Sequence, residues 1–482
     1  MDEGRYAESR TVSLDEIDAF KAELRGDVLT PSEPGYADAR RVFNGLVERH
    51  PSLIARCLGT SDVRLAVKFA RRNGLLTSIK GGGHHHAGTA VCDDGLMIDN
   101  SLMRGVQVDP ATRRVFVQPG ARNGDIDTET QLFGLAVPAG TVSPTGVAGL
   151  ALGGGVGHLM RSRGLTCDAL RRAQVVTAEG DLIEASDTDN PDLFWALRGG
   201  GGNFGVVTQF EFEAYSVGPT VYGGPLIWPI GEADDVLPFL MEFARRAPRE
   251  LGLSITLAKV LPGLLPPGVT KDLVLIATPC YSGPDLETGE ALVGELRRVK
   301  RPIVDVAGAQ SYTAIQASLD PALPMGRPSY IKSGFIDSLT DEVFAVMRHA
   351  VATAPAGIAD FYINLALLGG AVADRGSIDD SAFPRRDAEY VYEVVPYWTS
   401  PHADGNAIIE WARRTADELN EFSGLGGHYT NFLSDREPEL VKLAWGPERL
   451  DRLAEIKQKY DPTNFFRVNH NVIPAPASVG AG

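Results

Sequence analysis

Cysteine is scarce. The chain of 482 residues contains four, Cys57, Cys92, Cys167 and Cys280, too scattered for a disulfide framework and without a Cys-x-x-Cys pair. Buried structural thiols are the expectation. Long apolar runs are missing as well: no stretch reaches the roughly 18 residues that cross a bilayer, and the opening MDEGRYAESR carries acids where a secretory leader carries an apolar segment. A cytoplasmic address is expected. Positive charge is the third deficit. Lysine and arginine number 46 against 62 aspartates and glutamates, a formal charge of −16, and a field of that sign repels nucleic acid and anionic membranes. Small molecules are therefore the expected partners.

What is present is the balance of a globular protein, 44% apolar and 22% charged residues. A capping box, Ser13 to Glu16, precedes the amphipathic run Leu14, Ile17, Phe20, Leu24. Next, SLIARCL reads as a strand, SDVRLAVKFARRNG as a helix closing on Gly74, and LLTSIK as a second strand. This β-α-β unit delivers the chain to GGGHHH, residues 81–86. Glycine after a strand lets bare backbone amides converge on phosphate oxygens. The two commonest versions do not apply. There is no Gly-Lys-Ser/Thr for a P-loop, and a Rossmann loop opens a helix whereas TAVCDDGLMIDNS has no 3.6-residue period.

Two more glycine clusters follow. TVSPTGVAGLALGGGVG repeats glycine at Gly146, Gly149, Gly153 and Gly157, which strips side chains from one face of any helical turn there. LRGGGGNFGVVTQFEFEAY ends a helix and enters an alternating strand, and between the two clusters RRAQVVTAEGDLIEAS reads as a hairpin turning at Glu179 and Gly180. Together the clusters point to an extended dinucleotide cradle. Three consecutive histidines cannot converge on one ion without strain, and no Asp, Glu or Cys stands at ligand spacing, so no metal is expected. Beyond about residue 213 the texture changes to proline-punctuated segments such as VLPGLLPPGVTKD, with amphipathic helices at Asp234–Arg246, Asp341–Thr353 and Asn406–Phe422 between short alternating strands. A rigid Asp-Pro turn and an asparagine-rich strand are expected to end the chain.

KGGGHHHAG, GVAGLALGGGVG, GLTCD, DLFWALRGGGGNFGVVT and YDPTNFFRVNHNVIP, in that order, resemble the berberine bridge enzyme-like flavoproteins of the p-cresol methylhydroxylase and vanillyl-alcohol oxidase superfamily. The resemblance implies an α+β fold: an FAD-binding domain of two subdomains, and a substrate domain with a large antiparallel sheet over the flavin ring. The expected segments are 1–212 (FAD-binding), 213–439 (substrate domain) and 440–482 (returning to the FAD-binding domain). It implies that Gly81, Gly82 and Gly83 give amides to the pyrophosphate and that His84 bonds covalently to the flavin 8α carbon. Relatives that attach FAD twice use a cysteine where this chain has Val142 or Ser143, so a single bond through His84 is expected. The cofactor set is completed by His85, Pro144, Thr145, Gly149, Gly155, Val207, Asn431 and Asn469, while His85 and His86 also read as structural. Lys80 replaces a common arginine, and RSRG (Arg161 to Gly164) departs from the usual Arg-Lys-Tyr/His-Gly.

The implied activity is an oxidase of secondary metabolism that takes a hydride from a C–O or C–N carbon of a small organic substrate and passes electrons to O₂, giving H₂O₂. A flavin-dependent dehydrogenase, an oxidative cyclase or a flavin-scaffolded non-redox cyclase are the alternatives. Tyr429 matches the tyrosine of the family's Tyr-x-Asn motif, which often acts as base, and Asn431 would share its strand face. Tyr392 is a second catalytic candidate, from the alternation of Tyr390, Tyr392 and Val394. In NLALLGG no carboxylate stands where some relatives place an acidic base.

Overall fold

The β-α-β unit forms as its apolar pattern dictates. The structure is a computed structural model that describes residues 12–261, 263–265, 272–399 and 404–477. The opening residues read above for a leader, and residues 262 and 266–271 of the proline-rich segment, lie outside the described residues. Leu53–Arg56 and Thr77–Lys80 flank Leu96–Asp99 in parallel, and Asp27–Leu29 closes one edge. The intervening helix Thr60–Arg72 buries Val63, Ala66, Val67 and Ala70, the stripe of a helix lying on a sheet.

A second sheet of five antiparallel strands runs in the order Val106–Asp109, Arg114–Val117, Val206–Glu213, Leu170–Val176, Leu182–Ser186. The expected hairpin is its last pair, with Gly180 at φ +79°. Between residues 220 and 397 a nine-stranded antiparallel sheet is built. Helices Ala233–Arg246, Leu286–Val299, Asp341–Ala352 and Gly405–Asn420 cover one face and bury Trp228, Phe243, Phe344 and Trp411 between them. The opposite face looks toward the first two sheets. The architecture is α+β, and among the described residues no helix is long and apolar enough to cross a membrane.

The chain end returns to the second sheet. Pro438–Tyr460 is helical with a break at Gly446 (φ +71°), and Trp445, Leu453 and Ile456 join the core that holds Phe194 and Trp195. Lys457 is fully buried, and its ammonium donates to the Asn203 and Phe466 carbonyls and to Asp461 Oδ2 at 2.6–2.8 Å. All three of its protons are used, and breaking such a pair costs about 3–5 kcal/mol. The strand expected after Asp461 does not form. Side chains take the backbone groups a ladder would need: Asn203 donates to the His470 carbonyl and accepts from the Val472 N–H.

A buried polar contact joins the second-sheet region to the large sheet. Gln316 Nε2 donates to Asp127 Oδ2 at 3.1 Å, while Asp127 Oδ1, Gln316 Oε1 and Tyr312 Oη have no partner among the described residues. Burial pushes the Asp127 carboxyl from its ordinary 3.8 up to about 7. Between those values the folded acid keeps a proton that the unfolded chain has lost, so this group makes the fold less stable as pH rises. Asp127→Asn should melt about 2 °C or more above the parent at pH 8, with the gap shrinking toward pH 5. A differential scanning fluorimetry series over that range checks it.

Candidate functional site

A cavity of about 460 Å³ runs from the end of Thr77–Lys80, past three glycine loops, to the open face of the nine-stranded sheet. Its floor exists because two loops meet backbone to backbone. A Cβ on Gly82 would stand 2.5 Å from Gly146 Cα, and one on Gly146 would stand 2.5 Å from Gly82 N. Gly81 has the Pro119 carbonyl at 2.7 Å from its would-be Cβ, and Gly83 sits at φ +65°. Side chains at these positions would close the groove.

The three histidines divide the labour. His84 stacks on Phe43 with ring centroids 4.0 Å apart, and its Nε2 is buried without a partner among the described residues. Burial holds its pKa down at about 4, so the imidazole is neutral with a lone pair available. His85 Nδ1 accepts the Ala87 N–H, so Nε2 carries the proton and donates to the Thr430 carbonyl at 2.9 Å. His86 Nδ1 meets Ser329 Oγ at 3.0 Å. The last two are struts tying the glycine loop to the 428–435 segment and to the large sheet.

Gly81, Gly82, Gly83, His84, His85, Thr145, Gly149, Val207, Asn431 and Asn469 all line the cavity. Pro144, between the lining residues Val142 and Thr145, is not itself on the wall, and the expected cofactor role of Gly155 is corrected. Gly155 (φ +93°) faces away, with Thr166 Oγ1 at 2.1 Å from its would-be Cβ and its N–H donated to Tyr429 Oη. Residues 430–432 form a 3₁₀ turn rather than the expected strand, yet Asn431 Nδ2 still reaches Tyr429 Oη at 2.8 Å. Tyr429 itself is 1% exposed and stands behind Asn431 rather than on the cavity wall. Burial raises its pKa, opposed by the Gly155 and Asn431 N–H donors.

Tyr392 is also corrected. Its hydroxyl donates to the Ala416 carbonyl within the helical layer, because the face of Tyr390–Tyr397 that carries Tyr390, Tyr392 and Val394 is the one covered by helices. The opposite parity carries Glu393, which lines the cavity and which the sequence reading passed over. Register places Ile276, Thr256, Asn364, Glu393 and Ser333 in one row across the sheet. Thr256 Oγ1 donates to Asn364 Oδ1 at 2.8 Å, which turns Asn364 Nδ2 toward Glu393 Oε1 at 3.2 Å. Enclosure pushes the Glu393 carboxyl from 4.5 up to about 7. Ser333 Oγ then donates to the Tyr429 carbonyl at 3.1 Å and joins this row to the Tyr429–Asn431 turn. The single charge in an otherwise apolar strand was the signal available.

The altered RSRG motif has a structural use: Arg161 donates to the Leu251 and Ala247 carbonyls. Lys80 donates to the Ala39 carbonyl at 2.6 Å. Val142 lines the cavity, whereas Ser143 is bonded to Asp320. None of the four cysteines lines the cavity; each is buried with a free thiol.

The FAD binding domain profile matches residues 51–186, and the profile described as berberine and berberine like matches residues 428–473. Over 462 residues the chain is 31% identical to an FAD-linked oxidoreductase of Dictyostelium discoideum, covering 95% of this chain and 97% of that protein. It is 31% identical over 469 residues to (R)-6-hydroxynicotine oxidase of Paenarthrobacter nicotinovorans, covering 95% and 98%. The crystal structure of 6-hydroxy-D-nicotine oxidase from Arthrobacter nicotinovorans superposes with a TM-score of 0.82 at 28% identity, covering 94% of this chain and 98% of that one. Fold and site thus define an FAD-linked oxidoreductase. The chain belongs to the berberine bridge enzyme-like family of the p-cresol methylhydroxylase and vanillyl-alcohol oxidase superfamily.

The residues present fit FAD. The glycine cradle is open where a phosphate chain needs amides, and three buried atoms of cavity-lining residues, His84 Nε2, Asn100 Oδ1 and Asn469 Oδ1, lack a partner among the described residues. Such atoms are costly unless a ligand satisfies them. Gly82→Ala and Gly146→Ala should each purify with severalfold less flavin per protein, read as visible against ultraviolet absorbance. Undiminished flavin in both variants would contradict the cradle.

Proposed function

We propose that the protein is an FAD-dependent oxidase of a small organic substrate, acting at a carbon that bears nitrogen or oxygen and yielding H₂O₂. The observation that carries the reading is Glu393: an enclosed carboxylate facing the cavity, held through one side-chain hydrogen bond, with its pKa raised to about 7. That value suits a general base at neutral pH. His84, neutral and unpartnered at Nε2, would anchor the cofactor covalently, and the absence of a cavity-lining cysteine favours a single attachment. Bound FAD supplies the hydride acceptor and the reduction of O₂.

Glu393 takes the proton from the substrate N–H or O–H as the carbon is oxidised. Asn364 and Thr256 fix the carboxylate by a directed pair of hydrogen bonds. Asn431 is held by donating to the Leu150 carbonyl and to Tyr429 Oη. A second reading keeps Tyr429 as base. It is favoured by the phenol oxygen accepting two N–H donors while its own hydrogen has no acceptor among the described residues.

The two readings separate by pH. Below about 7 Glu393 is protonated and cannot accept, so anaerobic flavin reduction by a turned-over amine or alcohol should rise with pH through that value and level off above it. Glu393→Gln should flatten this limb and slow reduction about 10²–10⁴-fold, measured by stopped flow. A limb that persists in Glu393→Gln but vanishes in Tyr429→Phe would assign the base to Tyr429 instead.

A further inference from the structure

His158 is built into the cavity wall without a side-chain partner among the described residues. The residue is 8% exposed and lines the cavity, its Nε2 is buried and unpartnered, and neither ring nitrogen makes a hydrogen bond to a described residue. Burial keeps it neutral, with a pKa near 4. The residue is held by its backbone: its carbonyl lies 2.3 Å from where a Cβ on Gly252 would be, so the loop rests directly on the strand Leu251–Lys259. Two residues along that strand, on the same face, is Ser254, whose register partner is Thr278. Both hydroxyls line the cavity and neither makes a side-chain hydrogen bond among the described residues, in contrast to Thr256, which is committed to Asn364.

Three polar groups therefore line this part of the cavity with hydrogen-bonding capacity unspent: His158 Nε2, fully buried, and the hydroxyls of half-buried Ser254 and of Thr278. A buried polar group left unpaired is destabilising, so a ligand group or trapped water must meet His158 Nε2. The row of Ser254 and Thr278 continues through Ala366, Val391 and Phe335 and carries no charge. Arg161 is committed to the Leu251 and Ala247 carbonyls, Lys259 on the same strand as Ser254 donates to the Ile358 carbonyl, and the carboxylates that line the cavity from the sheet, Glu393 and the Arg327-paired Asp360, stand in other rows. A neutral imidazole and two hydroxyls each offer a donor and an acceptor.

We propose that His158, Ser254 and Thr278 form a second binding subsite that takes an uncharged donor–acceptor group of the substrate, such as a hydroxyl, a phenol or a lactam, at the end remote from Glu393. Calling that ligand the substrate rests on the oxidase reading of the cavity. The Ser254 and Glu393 backbones are separated by two strand spacings and one two-residue rise, roughly 12 Å. A molecule that engages both ends is accordingly about two rings long, or one ring with a short chain. One end is oxidised beside Glu393, and the other only binds.

The test titrates the flavin-loaded protein with phenol and with fluorobenzene, which share a shape but differ in the donor–acceptor group. Binding is read from perturbation of the visible flavin spectrum and from calorimetry. The parent should prefer phenol by about tenfold, the size of one net hydrogen bond. Ser254→Ala/Thr278→Val and, separately, His158→Phe should bring that ratio close to one. Because these groups bond nothing in the protein, both variants should melt no lower than the parent. No preference in the parent, or a preference kept by both variants, overturns the subsite. If the ratio collapses as expected while no amine or alcohol ever bleaches the flavin, the subsite stands and the oxidase reading falls.

Discussion

The contact between Gly82 and Gly146 is the constraint on which the rest of the structure depends. Two loops from different sheets approach until backbone meets backbone, and that approach leaves amides lining a groove where side chains would otherwise stand. Everything that frames the groove is anchored to one loop or the other. His85 and His86 bond the first to the Thr430 carbonyl and to Ser329, and the helix Val147–Gly153 carries the second to Asn431, whose side chain fills the space a Cβ on Gly153 would need. The buried Lys457–Asp461 pair pins the chain end against the third glycine loop through the Asn203 carbonyl. An acidic chain can hold a phosphate this way because the charge is met by backbone dipoles rather than lysines.

Above the groove, the large sheet works by parity. Its strands hide one side chain in two under four helices and offer the other to the cavity, so a single position decides between core and site. Tyr392 and Glu393 are adjacent in sequence, yet one bonds the Ala416 carbonyl inside the helical layer and the other turns its carboxylate to the cavity. Cross-strand register then converts scattered polar residues into rows: Thr256, Asn364, Glu393 and Ser333 in one, Ser254 and Thr278 in the next. The first row is internally bonded and presents one proton acceptor. The second is left for something else to satisfy.

Much of this was legible in the sequence. The β-α-β entry, the hairpin at Gly180, the long helices and the cradle glycines all rest on local periodicity or on glycine where the backbone must come close. The family resemblance supplied the large antiparallel sheet. What escaped was tertiary in origin. The strand expected beyond Asp461 gave way to side-chain bonds from Asn203, the strand through Tyr429 became a 3₁₀ turn, and Gly155 serves the Tyr429 hydroxyl instead of the cofactor groove. Along Tyr390–Tyr397 aromatics stand on both faces, Tyr390 and Tyr392 under the helices and Tyr397 on the cavity, so the lone charge of Glu393 and not aromatic alternation marks the open face.

The central claim is that this cradle holds FAD with His84 as its one covalent anchor. Denaturing the purified protein in acid, collecting the pellet and mapping any yellow peptide by mass spectrometry tests it directly. The account predicts a flavin adduct on the peptide containing His84 and none on the peptides containing Cys57, Cys92, Cys167 or Cys280. A colourless pellet with all the FAD released to the supernatant would contradict it.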